Sequence, residues 1–134
     1  MEDWKIKISV LWLFSVVAGV AGGFFTLMEP GVLQQIMAGE VEGMRIGPGL
    51  LLMYAIVILV PLVMAFLSLT LKDSTNRWAN IIVGIVWIGL SLSDLFTYLT
   101  KLSAYSAYSI LMWLSGRVAT ALIVWYAWKS KQKV

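Results

Sequence analysis

Apolar and polar positions fall in long blocks along this chain. Residues 8–28 and 46–71 carry no charge, while 78–100 and 102–128 carry one charged residue each, Asp94 and Arg117. A hydrocarbon layer of ~30 Å takes about 20 apolar residues in helix, so each block predicts a spanning helix. The boundaries lie at about 6–28, 48–71, 77–100 and 104–129. Short connections near 72–77 and 101–105 force neighbouring spans to run antiparallel. The expected fold is all-α: one transmembrane domain over 1–134, an integral membrane four-helix bundle in up-down-up-down order.

The connection from Glu29 to Gly49 is the longest. Pro30 suits a first helical turn, Val32, Leu33, Ile36 and Met37 share a side, and Gly39 is a natural stop. A short interfacial helix at about 30–38 is expected, as a lid over the bundle mouth. Pro61, midway along the second span, removes a backbone hydrogen bond and predicts a bend.

Charge sets the orientation. Lys5, Lys7, Lys72, Arg77, Lys129, Lys131 and Lys133 lie on the side of the termini, and Arg45 and Lys101 on the other. Positive loops stay inside, so both termini are expected in the cytoplasm, in the plasma (inner) membrane of a prokaryote. Trp4, Trp12, Trp78, Trp125, Tyr126 and Trp128 cluster near the cytoplasmic ends and read as interfacial anchors. An acidic start, Glu2 and Asp3, and a long first apolar run predict that this span is retained rather than cleaved as a leader.

Composition narrows the chemistry. Hydrophobic residues make up 60% of the chain, leaving little outside the lipid for a separate soluble site. The chain has no cysteine and no histidine, which removes disulfides, imidazole catalysis and the common ligands of zinc and haem. No cofactor, no metal and no catalytic residue is expected. The net charge of +3 sits at helix ends rather than on one face, so nucleic acid is not an expected partner.

Helical positions advance about 100° per residue, and on that arithmetic three polar or small-residue stripes emerge. The third span aligns Asn80, Gly84, Trp87, Ser91, Asp94 and Tyr98; the first aligns Ser15, Gly19, Gly22, Thr26 and Glu29; the fourth aligns Ser106, Ser109, Trp113, Gly116 and Thr120. All three should face inward, because lipid offers a polar side chain no partner. Ser15, Gly19, Gly23, Gly84 and Gly116 are expected in helix-packing seams, with the Ser15, Gly19 and Gly23 face serving either the bundle or a second copy of the chain.

Asp94 and Arg117 are the residues that packing does not explain. A charge near mid-bilayer costs about 2.5–3.5 kcal/mol on insertion scales, so such groups pair and mark functional sites by default. An Asp94–Arg117 ion pair between antiparallel neighbours is predicted, with Glu29 competing for the same arginine. Glu29, Asp94, Arg117, Trp87, Tyr98 and Trp113 are the ligand-binding or ion-pair candidates; Tyr54, Tyr105 and Tyr108 lie toward the same outer half. The expected activity is non-enzymatic: a bundle that binds or transports a small cationic or lipophilic ligand through an outward-facing polar cavity. The partners are then the lipid bilayer and a small molecule. A structural or accessory protein packing against a partner is the second reading. A membrane-embedded enzyme is the third, lacking any nucleophile–base pair.

Three stretches carry a resemblance: Glu29-Pro30-Gly31 with Gln34-Gln35-Ile36-Met37-Ala38-Gly39-Glu40, Asn76-Arg77-Trp78-Ala79-Asn80-Ile81-Ile82, and Leu122-Ile123-Val124-Trp125-Tyr126-Ala127-Trp128-Lys129. Over nearly the full chain they resemble an uncharacterised prokaryotic family of small four-span membrane proteins, a domain of unknown function. The resemblance implies fold and length and carries no activity. Relatives tend to hold acidic or polar residues late in the first span and an acidic residue in the fourth, where this chain has Val20-Ala21-Gly22-Gly23 and Arg117. The topology is also similar to that of small multidrug exporters and DoxX-like proteins.

Overall fold

The computed structural model describes residues 3–41 and 43–130. Glu2, Lys131 and Lys133, used above for retention and orientation, lie outside the described residues. Four long helices, α1 (Asp3–Leu27), α3 (Pro48–Thr70), α4 (Asp73–Thr100) and α5 (Ser106–Lys129), are each apolar and long enough to cross a membrane. The chain is a multi-pass helical bundle. Contacts at the helix ends set its up-and-down order. Lys5 Nζ of α1 donates to the Leu71 carbonyl after α3 at 3.4 Å and pairs with Asp73 at the start of α4 at 2.6 Å. Arg77 Nε of α4 reaches the Ala127 carbonyl near the end of α5 at 3.1 Å.

The connection between α3 and α4 is tighter than the sequence predicts. Only Leu71 and Lys72 separate the helices, and the expected polar turn over 73–77 is the first turn of α4. Its polar residues are consumed by packing rather than by water. Asn76 is fully buried and donates from Nδ2 to the Ser68 carbonyl at 2.7 Å. Arg77, expected as a solvated turn charge, is 9% exposed. Its guanidinium carbon lies 4.8 Å from the Trp78 ring and 5.3 Å from that of Trp128, a cation between aromatic faces at the negative end of α5.

Between α1 and α3 the chain forms α2 (Val32–Met37), shorter than the predicted 30–38, and then a two-stranded antiparallel hairpin, β1 (Glu40–Val41) and β2 (Met44–Arg45). The hairpin is absent from the sequence reading because each strand has only two residues, too few for an alternating pattern. Gly39 (φ 84°) ends α2 as expected, and Gly43 (φ 76°) supplies the left-handed turn between the strands.

The core occupies one half of the bundle. Buried positions stop at Ala18 in α1 and Gly84 in α4, and start at Pro61 in α3 and Gly116 in α5. The buried side is therefore the half that holds the termini-side helix ends, built on Trp4, Ile8, Trp12, Met64, Ile81 and Ile123. Trp4 and Trp12, expected as interfacial anchors, belong to this core at 4% and 0% exposure. Trp12 is drawn in because its Nε1 finds Asn80 Oδ1 at 2.7 Å, which satisfies the indole without headgroup water. Trp78, Trp125 and Trp128 are exposed.

Candidate functional site

Asn80 is the hub of the packed half. Its Nδ2 donates to the carbonyl and to the side-chain oxygen of Asn76, at 2.9 and 2.7 Å, while its Oδ1 accepts from Trp12 and lies 3.2 Å from Ser68 Oγ. Ser68 also donates to the Met64 carbonyl at 2.6 Å. α1, α3 and α4 are thus tied together by polar groups that satisfy one another in the absence of solvent.

In the other half the helices part company. α1 and α5 stay in contact to their far ends: an added Cβ at Gly22 would lie 3.6 Å from Met112, and Phe25 meets Tyr108 edge-on at 6.2 Å. α3 and α4 behave differently. Among the four long helices they are the least contacted sequential neighbours, and hydrogen bonds through Ser68, Leu71, Asn76 and Asn80 join them near their shared turn. Residues 51–59 of α3 are all exposed, and no residue of α4 beyond Gly84 is buried.

The divergence encloses a cavity of about 400 Å³. α1 supplies Ser15, Gly19, Gly22, Gly23 and Thr26 to its wall; α4 supplies Trp87, Leu90, Ser91, Asp94 and Tyr98; α5 supplies Tyr108, Ser109, Met112, Trp113, Gly116 and Arg117; α3 supplies Val57. The three inward stripes therefore divide by depth. Asn80, Gly84 and Thr120 pack in the closed half, and the outer members except Glu29 and Ser106 line the cavity.

Of the ligand candidates, Asp94, Arg117, Trp87, Tyr98 and Trp113 come together on this wall. The predicted Asp94–Arg117 contact pair does not form: among the described residues the ion pair within 4.0 Å is Lys5–Asp73. Both side chains line the cavity instead, more than 4.0 Å apart. Trp113 bridges α5 and α4 on the same wall. It sits one turn outward of Arg117, and its Nε1 donates to the carbonyl of Ser91, one turn inward of Asp94, at 2.9 Å. The indole thus ties α5 to α4 on the cavity wall. Asp94 is exposed toward the cavity, and Arg117 Nε is buried with no hydrogen-bond partner.

Glu29 does not compete for Arg117. Its carboxylate accepts from the Tyr108 hydroxyl, which also lies 3.0 Å from Thr26 Oγ1, so Glu29 fastens the end of α1 to α5 at the cavity rim. Tyr54 and Tyr105 are not part of the wall, and among the described residues none from α2 or the hairpin lines it.

Two of the expected packing glycines have another role. A Cβ at Gly19 or Gly23 would meet nothing within 4 Å, because both face the cavity. Ser15 is buried and its Oγ lies 4.0 Å from the Cβ position of Gly116, so these two do meet at the α1–α5 crossing. Gly84 is a true close approach: a Cβ there would lie 2.6 Å from Val124 Cγ2. Met112, Leu90 and Val57 were missed on the wall. Met112 lies on the row of α5 beside the Ser109 and Trp113 row, and a stripe one position wider would include it.

The family comparison agrees with the architecture. The chain belongs to DUF6326, a family of unknown function, which matches residues 1–133. No curated protein and no solved structure matches it.

Proposed function

We propose that the chain is a non-enzymatic membrane bundle that binds or transports a small cationic or lipophilic ligand in the cavity between α1, α4 and α5. One observation carries this reading. A cavity of about 400 Å³ within the spanning segments is walled by Asp94, by Arg117 with a buried Nε that has no hydrogen-bond partner, and by the rings of Trp87, Tyr98 and Trp113. Its volume falls in the range of about 300–1,000 Å³ found for small-molecule sites, and its make-up follows their pattern of apolar walls with few polar groups. Aromatic faces beside a carboxylate suit an organic cation, and the apolar remainder suits a lipophile. Under the positive-inside rule the cavity lies in the half away from the cytoplasm, in the plasma membrane of a prokaryote.

An accessory role resting on the Ser15, Gly19 and Gly23 face is the weaker reading. Ser15 is buried and Gly19 and Gly23 line the cavity, so a partner helix docked on this face would have to occupy the cavity itself. Trp87 and Trp113 provide the test. Titration of the purified protein with tetraphenylphosphonium, and separately with naphthalene, should give a saturable change in tryptophan emission. Asp94→Asn should weaken the cation about tenfold, the equivalent of ~1.4 kcal/mol, and the neutral lipophile little. A flat response to both, or a cation response indifferent to Asp94→Asn, overturns the proposal.

A further inference from the structure

Resting on that reading, we infer that the ligand is a single-chain amphiphile resident in the bilayer, which reaches the cavity sideways through the gap between α3 and α4. Three observations carry the inference. Residues 51–59 of α3 are exposed around the whole helix, not merely along a lipid-facing side, so this stretch stands off from the bundle. The stand-off begins where the helix loses a hydrogen bond: Pro61 is buried, has no N–H to offer the Val57 carbonyl, and marks the last packed turn of α3. The wall is also polarised. Val57 and Leu90, from the two helices that flank the gap, line the cavity while remaining 47% and 68% exposed. Asp94 and Arg117 line the same space and carry charge of both signs.

An amphiphile matches this arrangement. Its chain lies along Val57 and Leu90 toward the lipid, while a head with both donor and acceptor groups meets Asp94 and Arg117. A solute arriving from water would gain nothing from a side opening onto hydrocarbon. A cavity of about 400 Å³ with one carboxylate and one guanidinium on its wall takes a single polar head, and Val57 and Leu90 provide one apolar track for a chain leaving it.

The chain contains no cysteine, so one introduced thiol reports its own surroundings. Three full-length variants are compared in phosphatidylcholine vesicles: Gly19→Cys on the cavity wall, Val17→Cys at a lipid-exposed position, and Lys101→Cys in the loop between α4 and α5. Each is labelled with N-dodecylmaleimide, which partitions into the bilayer, and with a sulfonated maleimide confined to water. The ratio of the two rates at one thiol cancels that thiol's own reactivity. The inference expects the Gly19→Cys ratio to equal that of Val17→Cys and to exceed that of Lys101→Cys by roughly 100-fold, the discrimination a charged group meets at mid-bilayer. Adding Val57→Trp should slow dodecyl labelling at Gly19→Cys about tenfold and leave Val17→Cys unchanged, since a plug in the gap affects only what passes through it. A ratio at Gly19→Cys like that of Lys101→Cys means the cavity fills from water and overturns the inference, as does a thiol that neither reagent reaches or a rate indifferent to Val57→Trp. In the first of those cases the ligand reading still stands or falls by the fluorescence titration, so the two failures are distinguishable.

Discussion

The two halves of this bundle use the same residue types to opposite ends. In the closed half polar side chains find one another: Trp12, Ser68, Asn76 and Asn80 form a buried network linking three helices. In the open half Asp94 and Arg117 face a common space without touching. Glycine divides the same way. Gly84 lets Val124 come within van der Waals reach of the α4 backbone, whereas Gly19 and Gly23 leave room that no neighbour fills. The amide network locks three helices because its groups satisfy one another, even though Arg77 in the same half keeps one buried nitrogen without a hydrogen-bond partner, whereas Asp94 and Arg117 border open space.

The largest test of this contrast strikes the hub. Asn80→Leu leaves the Trp12 indole N–H and the Asn76 side-chain oxygen buried without a partner. Orphaned buried groups cost about 1–3 kcal/mol each, although single hydrogen bonds in membrane proteins average only ~0.6, so a loss of roughly 2–4 kcal/mol is expected. Circular dichroism along a dodecyl sulfate titration measures it. A loss under about 1 kcal/mol would mean that apolar packing alone holds the closed half.

Glycine substitutions sharpen the contrast next. At Gly84 any Cβ collides with Val124, whose β-branched side chain has little freedom to turn away. Gly84→Leu should cost about 1–3 kcal/mol by overpacking. At Gly19 the same change meets open space and also replaces a poor helix former, so stability should move by no more than about 0.5 kcal/mol. Gly19→Leu should nonetheless abolish the tetraphenylphosphonium response by filling the cavity. Equal stability losses at the two positions would erase the distinction between seam and site.

That pair of glycines also shows where sequence reasoning ends. Hydropathy and helical arithmetic are local quantities, and they are enough to place four spans and turn Asn80, Gly84, Ser91 and Asp94 inward. Whether an inward glycine supports a crossing or opens a cavity depends on how far apart two helices run at that depth. Distant residues set this separation: Pro61 on α3, and the Trp12–Asn80 bond that closes one end only. The Asp94–Arg117 contact failed for the same kind of reason. Complementary charge and compatible depth are legible along the chain, but how α4 and α5 hold the two side chains, with Trp113 of one bonded to Ser91 of the other, is a fact of packing. Trp12 reads as an interfacial residue until its partner, 68 residues later, is known.

The smallest effect is expected where the closed half meets water. Lys5 and Asp73 pair at 2.6 Å across the termini end of the bundle, with 14% and 43% of their side chains exposed. An ion pair this open to solvent contributes about 0–1 kcal/mol, because water and salt screen what the short distance gains. Lys5 also donates to the Leu71 carbonyl, which Asn76 Nδ2 contacts as well at 3.4 Å, so that acceptor keeps a partner when the lysine is removed. Lys5→Gln should therefore cost roughly 0.5 kcal/mol in low salt, and the difference should vanish near 1 M salt, where the screening length falls to ~3 Å. The same dodecyl sulfate titration at both ionic strengths measures it. A salt-insensitive loss as large as that of Asn80→Leu would move the lock from the buried amide network to the charged rim, and the division into a satisfied half and an unsatisfied half would then rest on the wrong residues.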